Sequence, residues 1–241
     1  MSLEQKRRAL ITGASSGIGK ATALALAKAG IDVALVSRSL DKLEAVAAAT
    51  RHNGVTAKAY ALDLAEVSQV KEKMTAIALD FGDIDILVNN AGMGYTATLS
   101  DTPLADWQQV IDLNLTSVLQ CIQAILPGMR VRGKGTIINV ASIAAKQTFP
   151  NWGAYCVSKF GLLALSQTLA QEERAHGIRV TTICPGSVNT EIWDTPTVHA
   201  DFDRSQMLTP EVVAESIVHT ALLPPQAVMD ELILMPSAGA L

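Results

Sequence analysis

The chain has 241 residues, 49% of them hydrophobic and 17% charged, a balance that excludes intrinsic disorder and permits a large buried core. A net charge of −4, from 19 Lys and Arg against 23 Asp and Glu with no basic stripe, excludes nucleic acid as an expected partner. Lys, Asp, Gly or Pro interrupts every apolar segment before it reaches the roughly 18 residues of a membrane span, and the start MSLEQKRRALITG lacks the apolar stretch of a signal peptide; no membrane association and a cytoplasmic location are therefore expected.

From the N-terminus, short β-branched apolar runs alternate with longer stretches of helical period. RALITG is followed by a helix over 20–29, IDVALVSR by a helix over 40–52, and TAKAYALDL by a helix over 66–81. IDILVNNAG then precedes a long helix over 103–131, TIINVAS precedes a second long helix over 155–176, and IRVTTICPG completes a set of six strands. Such alternation predicts βαβ units, hence an α/β fold on a mostly parallel sheet with helices on both faces. Residues 187–208 lose periodicity and mix Trp, Phe, Thr and charges, which predicts a long loop containing a short helix; loops of this length in compact domains usually serve function. Thr209, Pro210 and Glu211 make a helix start, with a capping hydroxyl, a proline at the first helical position and an acid in the first turn. DELILMP supplies a seventh strand, and no repeat or linker divides the chain, so a single domain over 1–241 is expected. Cys121, Cys156 and Cys184 are odd in number, sit in apolar segments and lack metal-ligand spacing, which predicts buried free thiols and no metal site.

RALITG runs straight into Gly13-Ala-Ser-Ser-Gly17-Ile-Gly19 and then into an Ala-rich helix ending at Gly30. A strand, a glycine turn and a helix in that order form a dinucleotide-binding unit, because glycines let the backbone bend tightly and let a pyrophosphate approach the free N–H groups of the helix start. This makes the sheet a doubly wound, Rossmann-type one. The spacing Gly-x-x-x-Gly-x-Gly differs from the usual Gly-x-Gly-x-x-Gly, and TGASSGIG at 12–19 resembles the cofactor signature of the short-chain dehydrogenase/reductase family. Asn89-Asn90-Ala91-Gly92 after the fourth strand, Asn114 in the long helix, Ser142 at the end of the fifth strand, Tyr155-Cys-Val-Ser-Lys159, and Pro185-Gly186 at the end of the sixth extend the resemblance over nearly the whole chain.

Tyr155 and Lys159 are four apart on a predicted helix and so share one face. A phenol with an ordinary pKa near about 10 relays protons poorly at neutral pH, and a neighbouring ammonium is expected to lower it. The resemblance implies that Ser142 hydrogen-bonds the substrate oxygen, that Tyr155 protonates it, that Lys159 also holds the nicotinamide ribose, and that Asn114 fixes a water beside Lys159 as part of a proton relay. Asn114 could also cap a backbone break within the long helix. For the cofactor the resemblance implies contacts from Gly13, Ser15, Ser16, Gly17, Ile18 and Gly19, from Asp63, Leu64, Asn90, Ala91 and Gly92, from Tyr155 and Lys159, and from Pro185, Gly186, Val188 and Thr190. Asp63 could equally be a helix N-cap and Thr190 a plain loop hydroxyl.

Near the end of the second strand an acid would accept hydrogen bonds from the ribose hydroxyls of NAD and repel the extra phosphate of NADP. The sequence has Ser37-Arg38 there, so NADP(H) is expected rather than NAD(H), unless Arg38 is a solvated charge beside Asp41. Met93, Tyr95, Ile143, Phe149, Trp152 and Trp193 follow the matched motifs and are expected to border an apolar substrate pocket.

The activity so implied is interconversion of a small-molecule carbonyl and a secondary alcohol or hydroxy acid by an NADP(H)-dependent oxidoreductase. One alternative is 3-oxoacyl-[acyl-carrier-protein] reduction, in which Arg130, Arg132 and Lys134 would meet an acidic carrier, although DELILMPSAGAL departs from the usual glycine-rich ending of those enzymes. The other is an NADP-binding regulatory protein, against which the presence of Tyr155 argues. Apolar residues on more than one face of both long helices, together with the resemblance, predict a homodimer or homotetramer.

Overall fold

The computed structural model describes residues 6–200 and 203–239. Seven strands, β1 (Arg8–Thr12), β2 (Asp32–Ser37), β3 (Ala57–Ala61), β4 (Ile86–Asn89), β5 (Gly135–Val140), β6 (Ile178–Pro185) and β7 (Glu231–Leu234), form one sheet in the order β3-β2-β1-β4-β5-β6-β7. Every pairing between them is parallel, so the sheet is more regular than the mostly parallel one expected.

Side chains on neighbouring strand positions point to opposite faces, and this chain fills both faces with apolar residues. Ala9, Ile11, Val33, Leu35, Val88 and Ile138 lie on one side, covered by α1 (Gly17–Lys28), α2 (Leu40–Arg51) and α7 (Pro210–Ala221) through Leu26, Leu43 and Ile217. Leu10, Val36, Leu87 and Ile137 lie on the other, covered by α3 (Val67–Phe81), α5 (Ser117–Arg132) and α6 (Gly153–Glu173) through Met74, Ile122 and Leu162. Each of these wholly enclosed side chains stabilises the fold by about 1.5–3 kcal/mol relative to exposure.

The predicted helix over 103–131 is α4 (Leu104–Ile111) running into α5 through one wide turn, Asp112–Thr116, in which the backbone bonds skip five residues rather than four. Such a turn opens the ladder locally and is frequent at functional sites. The helical stretch Leu104–Arg132 is apolar and long enough to cross a membrane by composition, yet Val118, Cys121, Ile125 and Met129 belong to the core against the sheet. The helix at the C-terminal side begins as its sequence dictates, with Thr209 capping, Pro210 at the first position and Glu211 in the first turn.

The strand order reverses direction on either side of β1 and β4. In open parallel sheets the crevice at that point, beyond the carboxyl ends of the strands, is where ligands bind. The glycine turn, the Asn89–Gly92 segment, Ser142 and Pro185-Gly186 all leave the sheet at this edge.

Candidate active site

The floor of the site is the turn after β1. Gly13 and Gly17 have φ of 65° and 49°, in the left-handed region where a side chain is strained, and Gly19 packs so closely that a methyl there would press on the Gly13 carbonyl and lie 2.6 Å from Asn90 Nδ2. Ser16 precedes α1 in extended conformation, and no side chain caps the helix start. Ser15, Ser16, Gly17 and Ile18 are partly exposed along this cradle. Its shape is locked from the side by Thr12, whose Oγ1 accepts the N–H groups of Asn90 and Ala91, both at 3.0 Å, while Asn90 Nδ2 donates to the carbonyls of Thr12 and Gly13 at 3.1 and 3.3 Å. Thr12 was not among the expected site residues, and its position as the last residue of β1 was the available signal.

At the end of β2, Arg38 is exposed and forms no ion pair with Asp41 among the described residues. The adjacent Ser37 Oγ is buried without a hydrogen-bond partner. An uncapped helix start, a methyl-excluding cradle and an orphaned hydroxyl beside a guanidinium together fit a dinucleotide carrying an additional phosphate. Asp63 does not cap α3, whose first flanking residue is Glu66; its Oδ1 instead accepts the Ala65 N–H at 2.9 Å in a tight local turn beside the buried Leu64.

The polar group lies across the crevice from the cradle. Lys159 is buried, with Nζ donating to the Val140 carbonyl at 3.1 Å and standing 5.6 Å from the centre of the Tyr155 ring. A methyl on Gly92 would lie 3.7 Å from that Nζ, so Gly92 leaves the ammonium open toward the Asn89–Gly92 segment. Ser142 caps the short turn Ile143–Ala145, its Oγ accepting the Ala144 N–H at 3.1 Å.

Burial pushes the Tyr155 phenol up to about 12, opposed by hydrogen bonding to Ser142, and burial pushes the Lys159 ammonium down to about 8. The expectation that Lys159 lowers the phenol is therefore corrected. Placing phenolate in this crevice costs more through lost hydration than hydrogen bonding to Ser142 returns.

Asn114 sits in the wide turn between α4 and α5, but its side chain does not cap that break. Oδ1 accepts the Met93 N–H at 2.8 Å, and Nδ2 donates to the Met93 carbonyl at 2.9 Å and to Ser158 Oγ at 3.1 Å. It thus ties the segment after Gly92 to α6 one residue before Lys159. A second buried ladder, from Asn89 Nδ2 to Asn139 Oδ1 and from Asn139 Nδ2 to Ser166 Oγ, each 2.8 Å, joins β4 and β5 to the same helix. Neither Ser158 nor this ladder was anticipated, since isolated Ser and Asn in apolar segments carry no spacing signature.

The described parts of this loop, 187–200 and 203–208, form a strap against the cradle with two short turns, Glu191–Asp194 and Arg204–Gln206. Pro185 and Val188 are buried, Gly186 leads into the strap, and Thr190 lies against the cradle, 3.1 Å from where a Gly17 methyl would be. The strap is fastened to the segment after Gly92 by Thr96 N–H to the Thr197 carbonyl at 2.9 Å and Thr197 Oγ1 to the Gly94 carbonyl at 2.8 Å. Trp152 packs edge-on against both Tyr155 and Trp193, at 5.4 and 5.9 Å between ring centres. Ile143 and Phe149 are partly exposed. Tyr95 departs from the expected pocket wall: it is 8% exposed, packs with Met93, Val110 and Ala154 below the strap, and donates its hydroxyl to Asp106 at 2.9 Å.

All three cysteines are buried and free, and burial pushes the Cys121 and Cys184 thiols up to about 12 and about 11. Of the basic connection, Arg130 pairs with Glu173, and Arg132 pairs with Asp83 at 3.0 Å and with the Ile84 carbonyl.

Comparison with known proteins gives this arrangement a lineage. Residues 7–199 match the short chain dehydrogenase family model. The chain is 35% identical over 234 residues to glycine betaine reductase ATRR of Emericella nidulans, covering 95% of this chain but 18% of that longer protein. It is 40% identical over 192 residues to D-threitol dehydrogenase of Mycolicibacterium smegmatis, covering 78% of this chain and 74% of the relative. Among solved structures, the alcohol dehydrogenase of the archaeon Thermococcus sibiricus, complexed with 5-hydroxy-NADP, superposes with a TM-score of 0.88 at 30% identity over 97% of both chains. The chain belongs to the short chain dehydrogenase family and is an oxidoreductase of that family.

Proposed function

We propose that the protein is an NADP(H)-dependent oxidoreductase that interconverts a small-molecule ketone and a secondary alcohol, with Ser142, Tyr155, Lys159 and Asn114 as its working group. The observation that carries this reading is the meeting of a phenol, an ammonium and a hydroxyl beside a methyl-excluding glycine cradle at the sheet's reversal point. When bound, NADPH supplies the hydride.

Ser142 and Tyr155 hold the substrate oxygen by their hydroxyls and stabilise the negative charge that develops there. A phenol held near about 12 stays protonated at working pH, so Tyr155 serves as the general acid for ketone reduction. Lys159, tied to Val140, keeps a positive charge behind the phenol and offers its remaining donors to the nicotinamide ribose. Asn114 holds the Met93 backbone and α6 in register, and the wide turn that carries it is the place where a relay water would meet the backbone. Ser37 and Arg38 select the 2′-phosphate. The Thermococcus sibiricus relative, with its NADP derivative, supports that preference.

Reduction of an acyl-carrier substrate is less well supported, because Arg130 and Arg132 are both engaged inside the chain. Assembly into a homodimer or homotetramer is supported by Leu119 on α5 and Val157 and Phe160 on α6, which are 39%, 47% and 41% exposed. Light scattering is expected to give two or four times the 25.5 kDa of one chain, and a mass of one chain overturns the assembly.

The deciding experiment is absorbance at the nicotinamide band with purified protein, NADPH and a panel of ketones and aldehydes. Turnover is expected. Tight cofactor binding without turnover on any carbonyl would mean a regulatory NADP-binding protein instead.

A further inference from the structure

The walls of the crevice have a chemistry more selective than carbonyl reduction requires. Trp152 stands at the start of α6, three residues before Tyr155, and its edge-on contact with the Tyr155 ring is matched by a second edge-on contact with Trp193 from the strap, at interplanar angles of 68° and 71°. Neither indole is loosely placed. Trp193 donates Nε1 to the Val188 carbonyl at 2.8 Å, and Trp152 is bridged to Ala97 and gives its carbonyl to the Cys156 N–H at 2.8 Å. Gly94 completes the enclosure: a methyl there would lie 2.7 Å from Val198 Cγ2 and 3.5 Å from both Ile192 Cγ1 and Trp152 Cζ3. Trp152 thus joins the Tyr155 ring to an apolar wall of Trp193, Ile192 and Val198.

The cations on the segments that border this space are engaged elsewhere. Lys159 donates to the Val140 carbonyl, Lys146 pairs with Glu231 at 2.9 Å, and Arg204 bonds the Asp194 carboxylate at 3.0 Å and the Thr190 carbonyl at 2.7 Å. The strap contributes acids besides, since Glu191 and Asp194 flank its first turn. A substrate carboxylate or phosphate next to the ketone would lose its hydration and find Lys159 behind the phenol and already bonded to the Val140 carbonyl, which leaves a large cost beside these apolar walls. A flat ring instead meets fixed aromatic edges, an arrangement worth more than its buried area alone.

We infer that the substrate class is an uncharged ketone bearing an aromatic ring, packed against the wall that Trp152 and Trp193 form together, with its carbonyl oxygen on Ser142 and Tyr155. This rests on the reading of the site as a ketone reductase and narrows it. The test is a matched series with NADPH: acetophenone, benzoylformate, which exchanges the methyl for a carboxylate on the same ring, and acetoin, small and polar. Acetophenone is expected to exceed both others in kcat/KM by at least about tenfold. Trp152→Ala and Trp193→Ala are expected to lower that value for acetophenone by about tenfold while changing acetoin less than about threefold, with Trp→Phe at either position restoring much of the loss. The Phe variants keep an aromatic ring and most of the packing volume, and so cover the case in which an Ala variant fails to fold. Preference for benzoylformate or acetoin overturns the inference while leaving the reductase reading intact, as does an equal loss on all substrates in the Trp variants. Absence of turnover on all three, with NADPH still bound, overturns the reductase reading itself.

Discussion

The glycine turn after β1 and the strap over 187–200 face each other across one crevice, yet they are built on opposite principles. In the turn, function comes from what is missing: Gly13 and Gly17 adopt left-handed φ, and Gly19 leaves no room for a methyl. In the strap, function comes from what projects: Thr190 toward the cradle, Ile192 and Val198 against Gly94, and Trp193 against Trp152. A backbone cradle tolerates almost no substitution but binds a part that every substrate shares. A side-chain wall tolerates many substitutions, each changing which molecule fits. The difference teaches that cofactor chemistry and substrate choice can vary independently on one scaffold, because they are encoded at different levels of the chain.

The sharpest break between the two regions lies at the residue that serves both. Tyr155→Phe removes a hydroxyl and little area, so kcat is expected to fall by at least about a hundredfold, in line with loss of general acid catalysis, while NADPH affinity stays within about twofold. Single-turnover rates and a fluorescence titration of NADPH measure the two separately. Retention of more than about a tenth of the wild-type kcat would remove Tyr155 from its assigned part.

Gly19→Ala attacks the cradle alone. The added methyl must displace the Gly13 carbonyl or Asn90, whose side chain is already committed to Thr12 and Gly13. Backbone displacement of this kind costs about 1–3 kcal/mol, so NADPH binding is expected to weaken by about tenfold or more, with ranking among ketones unchanged. A change in ketone ranking without weaker cofactor binding would contradict the separation of the two regions. Arg38→Asp tests the outer end of the same half. It replaces a phosphate partner with a ribose acceptor, and since a charged hydrogen bond contributes about 1.5–3 kcal/mol, the ratio of kcat/KM values is expected to move toward NADH by at least about tenfold. An unchanged ratio would place selectivity elsewhere.

The same contrast explains what could be read from the sequence. Glycine spacing states a backbone path directly, and short continuous apolar runs between helical stretches state buried strands, so the sheet, its helices, the cradle and the Tyr155 and Lys159 pair were legible in those runs and in TGASSGIG, NNAG and YCVSK. The strap gave only a loss of periodicity, because Trp193 meets Trp152 across 41 positions of chain and no local rule records that meeting. Tyr95 was misplaced for the same reason: its hydroxyl finds Asp106 on α4, a contact that depends on how α4 packs. The Tyr155 pKa went the other way from the expectation because spacing reveals a neighbouring charge and conceals burial.

The smallest effect is expected far from both regions, and it separates stability from chemistry. Glu173, near the C-terminal end of the helix that carries Tyr155, has no exposed side-chain surface and receives both arms of Arg130 from α5. Arg130 holds the Glu173 carboxyl below its usual range against the opposing effect of burial, and the Arg130 side chain remains 47% exposed. Because the folded carboxyl has the lower pKa, the stabilisation is present above the unfolded value, about 4.3, and is lost as pH falls through the folded one. Glu173→Gln is therefore expected to lower Tm by a few degrees at pH 7, with the gap to the wild type narrowing as pH falls below about 4. The shift is modest because the freed guanidinium can turn to water, unlike a cation trapped in a core. Thermal scans from pH 3 to 8 measure it alongside kcat at 25 °C. An unchanged kcat would show that the far end of α6 steadies the fold without setting the geometry at Tyr155. A kcat that falls together with Tm would mean that α6 transmits its packing to the crevice, and that the cradle and the strap face each other only while Arg130 holds that helix in place.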